Sequence, residues 1–229
     1  MILGIVLDLD DTLYPEREYV RSGFAEIDRR LCGRGDCRPG EFERTSWALF
    51  EEGCRGRIID ESLALLGIAA TQGLVDDLVA AYRAHEPCIH LFADADRFLS
   101  RVAGRARLGL LTDGFGSSQR RKVAALGLES RVPAIVYSDD LGRAHWKPDP
   151  LPFRTMEVTL GMQASELVYV GDNPAKDFVG ARACGWRTVR VRRPGTLHFD
   201  VNPGPGCEPE AEVPSLDMLP GDLSRFLAG

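Results

Sequence analysis

The sequence predicts an open α/β fold, a parallel sheet built from strand–helix units and interrupted after its first strand by a helical insert. Three observations predict it. Residues 2–7, Ile-Leu-Gly-Ile-Val-Leu, form a short apolar run that ends in carboxylates, the pattern of a buried parallel strand with function at its C-terminal end. Residues 16–86 carry helical periodicity and no convincing strand. After Pro87, short apolar runs alternate with helical stretches that stop at glycine, which implies βαβ units with right-handed crossovers.

The elements follow in order. Arg17–Leu31 is amphipathic, Pro39 suits a first helical turn ahead of Phe42, Trp47, Leu49 and Phe50, and Leu74–His85 places Leu74, Leu78, Val79 and Tyr82 at helical spacing. Strands are then expected at Arg107–Leu111, Ala134–Tyr137, Leu167–Val170 and Arg187–Val191. Helices are expected between them at Ser117–Leu126, Pro152–Leu160 and Pro174–Cys184, closed by Gly127, Gly161 and Gly185. The Pro- and Gly-rich stretch 194–214 reads as a surface loop, and Ser215–Leu227 as a short closing element. The expected organisation is a core of residues 1–15 and 88–229 around an insert of residues 16–87.

Composition narrows the classes of function. With 229 residues, 44% hydrophobic and 27% charged, the chain is long enough to bury a sizeable core. A net charge of −6 argues against nucleic acid as a partner, which demands a basic face, and leaves open a small phosphorylated metabolite met by a few local cations. No run approaches the about 20 apolar residues that span a bilayer, and the first residues lack the basic start of a signal peptide. The expectation is a cytoplasmic protein, monomer or homodimer. Cys32, Cys37, Cys54, Cys88, Cys184 and Cys207 form no CxxC pair and are read as free thiols; the Cys32–Cys37 loop offers no second ligand pair for zinc.

The chemistry-bearing residues gather at four strand ends, where ligands of open α/β sheets bind. The first strand runs into Asp8-Leu9-Asp10-Asp11-Thr12-Leu13. Residues two apart face the same side, so Asp8 and Asp10 project together, and their mutual repulsion calls for a cation or a proton; a hard, oxygen-liganded ion such as magnesium fits. The second ends in Leu110-Leu111-Thr112-Asp113-Gly114, with Ser117 and Ser118 opening a helix, a hydroxyl and backbone N–H groups that form a phosphate cradle. Lys147, stiffened between neighbours in Trp146-Lys147-Pro148-Asp149-Pro150, offers a fixed positive charge. The last is Gly171-Asp172-Asn173-Pro174-Ala175-Lys176-Asp177, where Gly171 permits close backbone approach, Asp172 can hold a metal, and Pro174 starts a helix carrying Asp177.

In this order the four segments resemble the motifs of the haloacid dehalogenase-like hydrolase superfamily, whose core is a Rossmann-like sheet. The resemblance runs through the whole chain. It implies that Asp8 is the nucleophile that becomes an aspartyl phosphate, and that Asp10 is the acid for the leaving alcohol and then the base for water. It implies Mg²⁺ held by Asp8, Asp172 and the carbonyl of Asp10, with Asp177 acting from behind the ligands or through water. Thr112 and the N–H of Asp113 would hold the phosphoryl oxygens, and Lys147 would pair with Asp8 and the phosphate. The dehalogenases of this superfamily lack an aspartate two positions after the nucleophile, so Asp10 favours phosphate esters. Asp113 stands where many relatives carry asparagine, and its side chain is expected to turn away from the phosphate.

About 100 residues lie between Asp10 and Thr112, room for the helical cap of the first type that the family places there, and prolines at Leu13–Pro15 and Pro87–Leu91 are expected to stiffen its two joints. The loop Gly53–Arg57 would carry Arg55 and Arg57 to the leaving group; Arg17, Arg21, His85 and His90 are further candidates for substrate contact, each more readily explained as solvated or structural. The expected activity is a Mg²⁺-dependent phosphatase of a small phosphate monoester, a sugar phosphate ahead of a nucleoside monophosphate. A phosphomutase with the same nucleophile and a catalytically silent binding module are the alternatives.

Overall fold

Apolar strands without polar alternation need cover on both faces, and the sequence places helices between them to supply it. The computed structural model describes residues 2–220 and Leu223. The described chain runs β1 (Gly4–Leu7), α1 (Glu16–Gly33), α2 (Glu41–Glu51), α3 (Ile58–Leu65), α4 (Gln72–Ala84), α5 (Ala93–Val102), β2 (Arg107–Thr112), α6 (Gly116–Ala125), β3 (Ala134–Tyr137), α7 (Leu151–Leu160), β4 (Leu167–Gly171), α8 (Asp177–Ala183), β5 (Arg187–Val191) and β6 (Ala211–Val213). All strand pairs are parallel, and the order is β3-β2-β1-β4-β5-β6. The order reverses at β1, so the β1 and β4 carboxyl ends flank the crevice where such sheets bind ligands. The chain divides into two compact units, Met1–Glu16 with His90–Gly229, and Arg17–Ile89.

In the sheet-bearing unit, Val6, Leu111, Val136, Leu167 and Tyr169 pack with Phe153 and Met156 of α7 and with Ala181 and Trp186. Phe153 meets Tyr169 and Trp186 edge-on, at 5.2 and 5.6 Å between ring centroids, a preferred aromatic geometry. The Trp186 indole N–H, which burial would leave unpaired, donates to Glu157 Oε1 at 2.7 Å. The other unit is helical, with no strand among its described residues. Tyr19 lies within 5.6 Å of Tyr82 and 4.8 Å of His85.

The structure corrects several sequence expectations. Pro39 does not open α2. The helix starts at Glu41, and the Asp28 carboxylate accepts from the N–H groups of Gly40, Phe42 and Glu43, a cap supplied from the preceding helix. Pro174 does not open α8 either: Asn173 Oδ1 accepts from Ala175 N at 3.0 Å, folding 174–176 into a turn, and the helix begins at Asp177. The loop expected at 194–214 contains β6, paired on β5 through Val189, Arg190 and Val191. Of the closing element expected at 215–227, Leu216–Met218 forms one short turn, and residues 221–222 and 224–227 lie outside the described residues. No helix among the described residues is long and apolar enough to cross a membrane. All six cysteines are free; Cys32 and Cys37 Sγ lie 3.5 Å apart beside Asp28, whose oxygens are occupied in capping α2.

Candidate active site

β1 delivers Asp8 at its carboxyl end, with Asp8 N donating to Val170 O at 2.9 Å and so extending the β1–β4 ladder by one residue. The chain then turns through Asp11, a non-glycine residue with φ of 54°. Its carboxylate holds that conformation, accepting from Glu16 N at 2.9 Å and Leu197 N at 2.8 Å. Asp11 is thus a brace of the turn, and the two neighbouring aspartates are separated by what they touch.

Asp8 is buried against Lys147. The Lys147 ammonium donates to Asp8 Oδ1 at 2.6 Å, Asp177 Oδ1 at 2.7 Å and the Tyr169 hydroxyl at 2.8 Å, one acceptor for each of its three N–H bonds. Asp177 Oδ2 accepts from Asn173 N at 2.8 Å. Gly171 is required here, because a Cβ at this position would collide with Asp177 Oδ2; its close approach is to a carboxylate of its own chain. Asp172 joins the cluster from the end of β4, and its backbone carbonyl accepts from Nε of the fully buried Arg190 at 3.1 Å. The same guanidinium binds the carbonyls of His198 and Val201.

Burial is the largest influence raising the Asp8 carboxyl; Lys147 lowers it, Asp177 and Asp10 raise it, and it comes to about 7, from 3.8. Burial, then Asp177 and Asp8, push Asp172 well above the ordinary carboxylate range. Lys147 loses stability as an ion through burial, but Asp177 and Asp8 overcome this and hold its pKa well above 10.5. Three carboxylates facing one ammonium leave two negative charges. Oxygens of Asp8, Asp172 and Asp177 all lie within 4.8 Å of one another, and Asp172 Oδ2 is buried without a hydrogen-bond partner. An all-oxygen donor set with two uncompensated charges and an orphaned carboxylate oxygen fits a hard divalent cation. The Asp10 side chain is outside this cluster.

Asp10 is partly buried and accepts three donors instead. Lys122 Nζ reaches Oδ1 at 2.7 Å, the Tyr14 hydroxyl also donates to Oδ1, and Gln119 Nε2 reaches Oδ2 at 3.1 Å. Desolvation opposes its ionisation, but Lys122, then Tyr14 and Gln119, outweigh this and hold its pKa below the usual value. Thr112, at the end of β2, has a buried Oγ1 without a hydrogen-bond partner, which suits a hydroxyl awaiting a phosphoryl oxygen. The Asp113 side chain turns to the neighbouring loop, where Oδ1 accepts from Lys147 N at 3.1 Å, and Oδ2 lies 4.0 Å from Lys176 Nζ.

The remaining candidates fall in the helical unit. Arg55 Nη1 donates to the carbonyls of Phe50 and Cys54, each at 2.7 Å, and the guanidinium sits 3.9 Å from the Phe50 ring centre. Arg57 is exposed. Arg17 pairs with Glu51 and Arg21 with Glu43, both against Trp47. His85 is buried, its Nδ1 2.6 Å from Tyr82 O, a structural position; His90 is exposed. Sequence reasoning missed Lys122, Gln119, Tyr14, Tyr169 and Arg190. A signal existed for Gln119 and Lys122, which stand three apart on a helix and so share a face.

A family model described as haloacid dehalogenase-like hydrolase matches residues 5–191. The chain belongs to the haloacid dehalogenase-like hydrolases. Among its relatives, a phosphoserine phosphatase of Thermus thermophilus is 34% identical over 176 residues, 76% of this chain and 64% of that one; this chain therefore spans less than two thirds of that relative. A glyceraldehyde 3-phosphate phosphatase of Methanopyrus kandleri is 30% identical over 200 residues, 84% of this chain and 85% of the other. Among solved structures, a 2-haloacid dehalogenase from Pseudomonas syringae pv. Tomato DC3000 is similar with a TM-score of 0.67 and 25% identity, covering 99% of this chain and 100% of the other. This hydrolase thus has phosphatases and a dehalogenase among its relatives, and the residues of its own site must separate the two chemistries.

Proposed function

We propose that this hydrolase is a Mg²⁺-dependent phosphatase acting on a small-molecule phosphate monoester through an aspartyl phosphate on Asp8. The observation that carries the reading is the division of labour between two carboxylates two residues apart. Asp8 is buried against Lys147 beside an uncompensated acidic cluster, whereas Asp10 is turned to a separate set of donors. One carboxylate can attack phosphorus while the other manages protons; an alkoxide leaving group needs a proton, which a halide does not.

In this reading Asp8 attacks phosphorus in line with the departing alcohol. Lys147 neutralises charge on Asp8 and the phosphoryl group, and Thr112 with the N–H of Asp113 holds the phosphoryl oxygens. Asp10, whose ionised form Lys122 favours, takes up a proton before it serves the leaving oxygen as acid, and later takes one from the water that displaces Asp8. The divalent ion, when bound by Asp8, Asp172 and Asp177 with the carbonyl of Asp10, would supply positive charge to the phosphoryl group. We assign this chemistry to the sheet-bearing unit and substrate selection to the helical one. Of its arginines, Arg57 is the better candidate for contact with the leaving group, since Arg55 is occupied by its own loop.

A sugar phosphate is the favoured substrate and a nucleoside monophosphate the second. We further assign the protein to the cytoplasm. The test is phosphate release with Mg²⁺ over a panel that includes both classes, phosphoserine and glyceraldehyde 3-phosphate. Phosphate should appear in water, and Asp8→Asn should abolish both turnover and the phosphoenzyme. Turnover retained by Asp8→Asn would place the nucleophile elsewhere, and transfer within the substrate without release would mark a phosphomutase.

A further inference from the structure

Asp10 is held by more donors than a solvated acid needs. Its two oxygens meet Lys122 Nζ at 2.7 Å, Gln119 Nε2 at 3.1 Å and the Tyr14 hydroxyl. Lys122 is 4% exposed, a costly place for an ammonium that serves only solubility. Gln119, 3% exposed, has its amide orientation set by two acceptors, since Nε2 also donates to the Asp113 carbonyl. Space for it is kept by Gly114, where φ is +122° and a Cβ would lie 2.6 Å from Gln119 Nε2. Gln119 and Lys122 lie three residues apart on α6, so one helix face delivers both to the same carboxylate, and neighbouring Arg120 points to Asp140 instead.

We propose that Lys122 and Gln119 are positioning residues for Asp10, aiming its carboxylate as the base that takes a proton from the water attacking the aspartyl phosphate. This rests on the phosphatase reading above. The geometry favours the base step because every neighbour named donates, so both Asp10 oxygens accept and a lone pair remains free for water. In that step water oxygen bonds to phosphorus, the bond from phosphorus to the Asp8 oxygen breaks, and the water proton passes to Asp10. Inorganic phosphate leaves, and Asp8 is restored as a carboxylate.

The test uses p-nitrophenyl phosphate, whose leaving group needs no acid, so that phosphorylation of Asp8 proceeds without Asp10. For Lys122→Met, kcat should fall about tenfold or more, within the range that general-base catalysis supplies. KM should fall by a similar factor, and kcat/KM should stay near wild type. Rapid mixing should show a burst of nitrophenol approaching one per site, and acid quench should trap the acyl phosphate. Gln119→Leu should give a smaller version of the same pattern. Lys122→Arg should recover most of kcat, and Lys122→Met should add little to the defect of Asp10→Asn, because both act through one group. A parallel loss of kcat and kcat/KM without a burst, or an unchanged kcat, would overturn the inference while leaving the phosphatase intact. A wild type that neither releases phosphate nor forms a phosphoenzyme would overturn the phosphatase reading and this inference with it.

Discussion

Lys147 shows what a single side chain contributes to this site. The residue is 6% exposed and its ammonium has an acceptor for each N–H, so it holds Asp8, Asp177 and Tyr169 in one arrangement. Replacing it with methionine keeps the volume and removes the charge, leaving buried carboxylates face to face. Lys147→Met is expected to reduce phosphate release by at least about a hundredfold, a loss of the size seen when one preorganised electrostatic contact is removed. Steady-state assay at saturating Mg²⁺ checks this, and activity within tenfold of wild type would show that the ammonium is dispensable. Asp8 and Asp172 were legible in the sequence because each follows a short apolar run that reads as a strand, and Lys147 because Pro148 and Pro150 mark its loop as stiff. Lys122 was not, because a lysine among Arg120, Arg121 and Lys122 looks like a solvated helix face until burial separates it from its neighbours. Asp113 was half legible: its departure from the family pattern was visible, but its bond to Lys147 N joins loops 34 residues apart, and no local pattern encodes that.

At the scale of elements, strands were easier to read than the points where chains turn. β1 to β5 are apolar runs with clear ends, whereas β6 has three residues of which only Val213 is buried, too little for periodicity to register. α5 also escaped the reading, although its Asp94, Ala95, Phe98, Leu99 and Val102 form a buried face. The start of α2 depends on Asp28, twelve residues before Gly40, and the start of α8 on the side chain of Asn173. That last turn carries a prediction. Gly171→Ala forces a methyl onto Asp177 Oδ2, so it should disturb the Lys147–Asp177 pair and lower kcat while leaving the far-ultraviolet spectrum unchanged. A fully active alanine variant would mean that the Asp177 carboxylate can move without cost.

α5 is fixed to the end of the sheet by one carboxylate. Asp94 Oδ2 accepts from Arg193 Nη1 at 2.7 Å, Ser215 Oγ at 2.8 Å and Leu216 N at 2.7 Å. Burial raises its pKa, but Arg193 and Ser215 outweigh burial and hold it below 3.8. A carboxyl depressed on folding adds stability that is fully present above its unfolded value and is lost as pH falls through the folded one. Asp94→Asn should therefore destabilise the protein at pH 7, by about 2 kcal/mol for hydrogen bonds to a charged group. Its deficit against wild type should shrink as the pH falls below 3.8. Urea melts across that range test it, and a deficit independent of pH would point to packing and not to charge.

For the molecule as a whole, the proposed ion site at Asp8, Asp172 and Asp177 is expected to couple folding to the binding of a divalent ion. Without a cation these buried carboxylates oppose folding, or take up protons to relieve it. A divalent ion that binds the folded site and not the unfolded chain adds stability by mass action, about 2.7 kcal/mol at a hundred times its dissociation constant. For a chain of this size that corresponds to a rise in Tm of roughly 5–10 °C, confined to the transition of the sheet-bearing unit if the two units melt separately. Mg²⁺ is expected to produce that rise, and Asp172→Asn to abolish it, because this change removes one of the negative charges that the ion offsets. EDTA should abolish turnover as well. Ca²⁺ should raise Tm yet support catalysis poorly, because its longer and looser coordination does not hold a phosphoryl group in line for displacement. Two measurements therefore separate binding from chemistry, a thermal melt and a phosphate assay on the same samples. Full activity in excess EDTA would remove the metal from the mechanism, and an undiminished Tm rise in Asp172→Asn would place the ion somewhere other than this cluster.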